Sequence, residues 1–325
     1  MRVRVPSSFV RPMTEVSSLA LHVLLASPHT GTRNLFAFLA ATDVGIMYFT
    51  SKRARRVCEG LRSAVPEYVA AIFASPQLPL SSNMTAAAAE DGHFGALRLL
   101  HARGCPLDER ATWGFARAGD VDALRYLLDH KCPLHNDVMY AAAMRGHVHC
   151  LRWLFHDAGC RGTSAALWSA ARNGHLAAVQ FLRDNDCEWD EDVMRAAALG
   201  GHLTIVQYLC DSSCPWSDDV AVGAAEGGNV HVLDFLRRRG CPWGARVPTA
   251  AALHGNLECL QYAHEHDCPW DVNTTAAAAG GHVECLRFAH ERGCEVRAGS
   301  MWIADMRGHW KCVDYLRRIV PDPQF

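Results

Sequence analysis

Eight cysteines divide this chain into nearly equal steps. Cys105, Cys132, Cys160, Cys187, Cys214, Cys241, Cys268 and Cys294 stand 27, 28, 27, 27, 27, 27 and 26 residues apart, a repeat period and not a pairing pattern. A glycine followed by a polar residue keeps the same step nine times: Gly92-His93, Gly119-Asp120, Gly146-His147, Gly174-His175, Gly201-His202, Gly228-Asn229, Gly255-Asn256, Gly281-His282 and Gly308-His309. Nine copies of one short unit therefore occupy about residues 82–318 of the 325. One such unit cannot bury an apolar face alone, so the units have to stack.

The copy between Cys187 and Cys214 shows the local structure. Asp190 or Asp192 is placed to accept the free N–H groups of a helix start. Val193 to Ala198 propagates a short helix, and Gly200-Gly201 ends it by tolerating positive φ. Leu203, Val206 and Leu209 then recur at i, i+3 and i+6, with Ile205 and Tyr208 widening the stripe and Gln207 left for solvent, a helical period. Cys214-Pro215 breaks the chain before the next copy. Each unit reads helix, tight turn, helix, short loop, which predicts an all-α helix-turn-helix solenoid. Five residues after each Gly stands Leu or Val (Leu97, Leu124, Val206, Val313), and seven after it mostly an aromatic (Tyr126, Trp153, Phe181, Tyr208); both are predicted core positions. Three and four before the Gly, pairs such as Ala142-Ala143 and Ala197-Ala198 let neighbouring first helices approach closely.

Gly-His before a Leu/Val-rich second helix, with an Ala-Ala pair closing the first, resembles the ankyrin repeat. The Cys-Pro-Trp loops and the run Gly281-His-Val-Glu-Cys-Leu-Arg287 are similar to the short ankyrin-type repeats of large DNA viruses of amoebae and of some protists. The usual unit of that family is about 33 residues and opens on Thr-Pro-Leu-His. Neither holds here, which implies that its projecting β-hairpin finger is trimmed to a bare loop.

Catalytic chemistry finds no apparatus. Helices in contact lie about 8–10 Å apart, beyond the roughly 7 Å Cα limit of a disulfide and too open for a shared zinc. The cysteine ladder is therefore expected to be buried, inert thiol in a reducing compartment. Six Gly-polar pairs carry His, but Asp120, Asn229 and Asn256 replace it elsewhere, and Asn is a poor substitute for an imidazole ligand. Helix capping or hydrogen bonding between units is expected there, and no metal site. The sequence has no Gly-Lys dipeptide, no Gly-x-Ser-x-Gly and no Cys-x-x-Cys. No catalytic residue, metal or cofactor is predicted, and the chain is read as a non-enzyme.

Variation between copies marks a surface instead. The residues six and two before each Gly lie four apart on one face of the first helix. They read Trp113 and Arg117, Tyr140 and Met144, Trp168 and Arg172, Arg195 and Leu199, Val222 and Glu226, Thr249 and Leu253, Thr275 and Ala279, and Trp302 and Met306, while their neighbours stay Ala. The residue just before the Gly adds Asp91, Arg145, Asn173, His254 and Arg307. This aromatic and Arg-rich stripe has the composition of binding hot spots, and the ankyrin resemblance implies that it is the concave strip on which a target protein is held. Packing between units is the alternative for the Trp and Tyr positions. A second row, Trp189, Trp216, Trp243 and Trp270, stands two residues after four consecutive cysteines. It is read as packing at the loop base, with an exposed binding row as the alternative.

The first 80 residues do not repeat and are read as a helical N-terminal module ahead of a solenoid at 81–325. Within it, Asn34–Val57 carries Leu35, Phe38 and Leu39 on one helical face, and Thr42-Asp43 as the cap of a second helix through Val44, Ile46 and Phe49. Ser51 opens a third helix with Lys52, Arg53, Arg55 and Arg56. The segment resembles an F-box, the three-helix module that docks on the Skp adaptor of cullin ubiquitin ligases, though the usual Leu-Pro opening is missing and Ala54 stands where a Trp is common. The resemblance implies docking through Leu35, Phe38, Leu39, Val44 and Phe49, with the repeats capturing a substrate. The alternative is a plain scaffold or decoy with no ligase link.

Charge narrows the partners. The net charge is −2, with nine Lys/Arg against three Asp/Glu in residues 1–62 and 23 against 31 in the rest. The repeats are no polycation, so no nucleic-acid partner is expected. No run of 18 apolar residues exists to span a bilayer, so no membrane partner is expected either. A cytoplasmic monomer is predicted, the nucleus being the alternative that Lys52–Arg56 raises.

Overall fold

The computed structural model of the chain describes residues 82–297 and 299–320. The F-box-like segment, with Leu35, Phe38, Leu39, Val44 and Phe49, lies outside the described residues. Among those described there are eighteen helices and no strand, so every connection is a bare turn or loop, as the missing finger predicts. No helix among them is long and apolar enough to cross a membrane. The chain divides into two compact bodies, Met1–Val138 and Met139–Phe325.

In the first body, α1 (Ser82–Glu90), α2 (Phe94–Ala102), α3 (Glu109–Ala118) and α4 (Val121–Asp129) form two helix-turn-helix units. The first helices α1 and α3 pack directly. Their approach is so close that a Cβ on Gly114 would lie 2.7 Å from the Ala89 carbonyl carbon, which is why glycine sits inside α3.

The second body begins one residue into α5 (Val138–Met144). The first helices that follow it, α7 (Ser164–Arg172), α9 (Glu191–Gly200), α11 (Asp219–Glu226), α13 (Arg246–His254), α15 (Val272–Ala278) and α17 (Ser300–Met306), pack on one another in chain order. The second helices, α6 (Val148–His156), α8 (Leu176–Asp184), α10 (Leu203–Asp211), α12 (Val230–Arg238), α14 (Leu257–Glu265), α16 (Val283–Glu291) and α18 (Trp310–Ile319), make a looser row.

Local chemistry places these ends. Asp190 caps α9 by accepting from the Val193 N–H at 3.3 Å. At the other end Gly201 adopts φ 78°, and the amides of Gly201 and His202 donate to the carbonyls of Ala198 and Ala197 at 3.1 and 3.0 Å, a left-handed turn that closes the helix. Pro248 is accommodated because it falls in the first turn of α13, where an N–H has no intrahelical acceptor.

The core of the second helices sits four, five and eight residues after each Gly. Ile205, Val206 and Leu209 are fully buried, as are Cys150, Leu151 and Leu154, and their counterparts in the other units are buried. Each fully buried Leu contributes about 1.5–3 kcal/mol relative to exposure. The aromatics seven residues on do not belong to that set. Phe181 is buried, but Tyr126, Trp153, Tyr208, Phe235, Tyr262, Phe288 and Tyr315 are only half-buried. Position seven lies 100° around the helix from position eight, at the rim, where rings meet edge to face across units: Phe155 with Phe181 at 6.2 Å and His290 with Tyr315 at 5.9 Å.

Two units depart from 27 residues, and each departure has a local consequence. In the 28-residue step the extra residue falls between Leu154 and Cys160, so the Cys160 amide reaches back six residues to Leu154 where the other ladder cysteines reach back five. Cys160 is half-exposed beside a groove of about 780 Å³ lined in part by Phe155, Arg161, Glu188 and Trp189. In the 26-residue step the missing residue falls between Cys268 and Gly281. Counting back from Gly281 then puts Thr275 and Ala279 on the variable face, but both are fully buried. The register runs from the cysteine. Thr275, seven residues after Cys268, donates to the Glu295 carbonyl at 2.8 Å, and Thr112, seven after Cys105, accepts from the His135 N–H at 2.9 Å. Val222 is a third face position that the structure buries, at 6% exposure.

Candidate partner-binding face

Several first helices are gripped at their ends by the unit that follows, α9 and α11 at both. At the N-terminal end the next cysteine's thiol faces a carbonyl one or two residues before the helix: Cys214 donates to Asp190 at 3.5 Å, Cys268 to Gly244 at 3.5 Å and Cys294 to Asp271 at 3.1 Å. In the first body Cys132 does the same to Asp108 at 3.1 Å. At the C-terminal end the polar residue after the next Gly takes the closing carbonyls. Asn229 Nδ2 donates to Ala198 and Leu199 at 2.9 and 3.1 Å, and Asn256 Nδ2 to Ala225 and Glu226 at 2.8 and 2.9 Å. His175 Nε2 lies 3.1 Å from the Met144 carbonyl and His202 Nε2 3.2 Å from that of Arg172.

Between the two roles open for the Gly-polar pairs, bonding between units is therefore the one found at these four residues. None of them makes a side-chain cap to its own helix, whereas Asp120 does, accepting from the Ala123 N–H at 2.9 Å. The reach is made possible by the preceding glycine. A Cβ on Gly174 would stand 2.6 Å from the His202 ring, and one on Gly146 2.6 Å from His175.

These grips fix the ionisation of the groups involved. Burial pushes the Cys214 and Cys268 thiols up to about 12 and Cys132, Cys187 and Cys241 up to about 11, far from a reactive thiolate. Burial also holds His202 below its ordinary value, the Arg172 carbonyl opposing that effect in part. No group of three His, Cys, Asp or Glu that could hold a metal ion occurs among the described residues.

With these ends tied to main-chain carbonyls, the first helices present a face on which many side chains stay accessible. In the second body Trp168, Arg145, Asn173, His254, Trp302, Met306 and Arg307 are exposed, and Tyr140, Met144, Arg172, Arg195, Leu199 and Glu226 are half-buried. In the first body Trp113 and Arg117 are half-buried, the guanidinium 5.4 Å from the indole centroid. Ala142, Ala143, Ala170, Ala171, Ala197 and Ala198, on the opposite side of the same helices, are fully buried. Trp302 and Met306 reach 67% and 68% exposure. One ion pair joins successive units across this face, Arg195 Nη2 to Glu226 Oε2 at 2.7 Å.

The other tryptophan row is packing. Trp189, Trp243 and Trp270 set their rings edge-on to Tyr208, Tyr262 and Phe288 of their own units at 6.2–6.3 Å. The preceding second helix covers them with Arg183 at 4.3 Å, Arg237 at 6.0 Å and a stacked His264 at 4.4 Å respectively. Where that covering position is Cys210, the tryptophan, Trp216, is the exposed member of the row.

Residues 138–220 match a family model described as ankyrin repeats, in three copies. Within that stretch the units are ankyrin-like. The crystal structure of the human ASB11 ankyrin repeat domain is similar over 57% of this chain and 99% of that one, at 15% identity and a TM-score of 0.43. No curated protein matches the chain by sequence. The matched segment holds His175 and His202 with the carbonyls they contact, and ankyrin repeats indicate a scaffold for protein–protein interaction.

What sequence reasoning missed is the thiol half of the grip. Cysteine as a donor to the previous unit's main chain leaves a trace only in its strict period. The slipped register of α15 was legible, since Cys268 to Gly281 is 13 residues where Cys187 to Gly201 is 14.

Proposed function

We propose that this chain is a non-enzymatic capture protein that holds a target protein on the variable face of its first helices. The observation that carries the reading is the contrast within single helices: Tyr140, Met144, Trp168 and Arg172 keep solvent exposure while the Ala pairs beside them have none. Large aromatic and Arg side chains left accessible on a rigid element are the composition of a hot spot. A photo-cross-linking residue placed at Trp168, and in a second protein at the exposed Gln180 of α8, tests it. Cross-linking to a cellular protein from Trp168, lost when Tyr140 and Arg172 are changed to Ala, is expected. Equal cross-linking from Gln180 would overturn it.

A finer reading gives the capture an output. Residues 34–57 resemble an F-box, so the N-terminal module would dock on a Skp-type adaptor through Leu35, Phe38, Leu39, Val44 and Phe49 and deliver the target to a cullin ligase in the cytoplasm. Sequence resemblance alone supports this part. Co-purification of the full chain with a Skp adaptor, abolished by Phe38→Asp with Leu39→Asp, is the expected result. A full chain that is folded and does not co-purify leaves the plain scaffold.

A further inference from the structure

The second body changes sign along its length. Residues 139–183 hold Arg145, Arg152, Arg161, Arg172 and Arg183 against the single carboxylate of Asp157, a net +4, whereas residues 184–320 hold 12 Lys/Arg against 20 Asp/Glu, a net −8. Arg152 and Arg183 are turned to rings on the second-helix side, 6.0 Å from Phe181 and 4.3 Å from Trp189. Arg145 and Arg172 close α5 and α7 on the variable face, beside Tyr140, Met144 and Trp168. Neither is ion-paired to a carboxylate among the described residues. The positive stretch ends one unit later, where Glu226 neutralises Arg195.

We propose that the occupant of this part of the face is an acidic, extended protein segment with an aromatic or aliphatic residue between its carboxylates, a proposal that rests on the reading of the face given above. Guanidinium groups are the natural partners of carboxylates, which they engage with two parallel hydrogen bonds. Helices in contact lie about 8–10 Å apart, and His175, three residues after Arg172, lies 3.1 Å from the carbonyl of Met144, the neighbour of Arg145, so the two guanidinium groups spring from adjoining units. An extended chain in the polyproline conformation has three residues per turn and a rise of about 3.1 Å per residue, so carboxylates three residues apart lie on one side at that spacing. One of the two residues between them meets Trp168 or Tyr140. A nucleic acid is also anionic, but its charge continues beyond two phosphates and would run onto the net −8 of the following units.

The test pans a library of short random peptides on the full chain and measures the enriched peptides against three proteins. These are the unaltered chain, Arg145→Glu with Arg172→Glu, and Tyr140→Ala with Trp168→Ala, each checked for an unchanged unfolding midpoint. Enriched peptides carrying Asp or Glu three apart around an apolar residue, weakened about tenfold or more by the charge reversal and by added salt, are expected. The milder Arg145→Gln with Arg172→Gln keeps the test available if the reversal does not fold, with a smaller loss of the same sign expected. Peptides without acidic residues, or affinity within about twofold after the reversal, overturn the acidic partner. In that case weakening by the aromatic pair alone leaves the face reading standing, and no weakening by either pair removes both. A library that enriches nothing also removes both. Displacement of the peptides by single-stranded DNA of equal length assigns the patch to nucleic acid and overturns the proposal.

Discussion

Arg195 of α9 and Glu226 of α11 form an ion pair of 2.7 Å that bridges two successive units across the variable face. Its side chains are 36% and 23% exposed, so solvent screens it and a contribution of about 0.5–1 kcal/mol is expected. A double-mutant cycle with Arg195→Ala and Glu226→Ala in urea unfolding measures that coupling, and additive effects would remove it. The same pair bounds the positive stretch, so Glu226→Gln should lengthen it and tighten an acidic peptide.

The glycine that follows α7 is required twice over. Gly174 has φ 83°, and a Cβ there would meet the His202 ring of the following unit at 2.6 Å. Gly174→Ala is expected to lower stability by about 1–3 kcal/mol or more, through the left-handed backbone and the displaced ring together. Gly244→Ala is the control, with nothing within 4 Å of its added Cβ and no positive φ; it should stay within about 0.5 kcal/mol.

Acid should loosen the stack at His202. Burial lowers its folded pKa below the ordinary 6.5, with Arg172 and His175 adding repulsion. The folded state therefore favours the neutral ring. Its contribution is fully present above pH 6.5 and is lost as pH falls from there through the folded value. Asn229 makes the same inter-unit contact with an amide that does not titrate. His202→Asn should flatten the fall in stability between pH 7 and 5 relative to the unaltered chain. Parallel curves for the two proteins would show that His202 is not the sensor.

Thiol alkylation should follow burial. Cys160 and Cys210 are half-exposed, while Cys132, Cys187, Cys214, Cys241 and Cys268 are buried with thiols raised to about 11 or 12. Mass spectrometry of the folded protein during slow iodoacetamide labelling is expected to find Cys160 and Cys210 modified before the other five. Simultaneous modification of Cys214 or Cys268 would mean that the ladder opens far more readily than its packing implies.

Period and helix pattern were open to sequence reasoning because both depend on local chemistry: Asp190 before Val193, Gly201 after Ala198, and Leu or Val at a fixed distance. Burial of the aromatics was not, since Tyr208 and Leu209 are both ring- or chain-sized apolar groups and only the crossing of neighbouring helices decides which faces the core. The stripe was legible as variation at Trp113, Tyr140 and Trp168. Thr275 and Ala279 were misplaced because the glycine was used as the ruler, and in that unit the backbone is shortened between the cysteine and the glycine. The pairing of Arg195 with Glu226 lay beyond sequence, as it requires the spatial offset between two helices that bring residues 31 apart together.

Asn229 and Cys214 hold the preceding helix by its carbonyl groups. Every residue has a carbonyl, so the hold is indifferent to which side chains the held helix carries. Residues on its outer face are thereby released from the duty of keeping the stack together and can diverge from copy to copy. A duplicated or deleted whole unit would likewise find its neighbours' contacts ready-made, so the array can lengthen, shorten and change what it grasps without relearning how to fold.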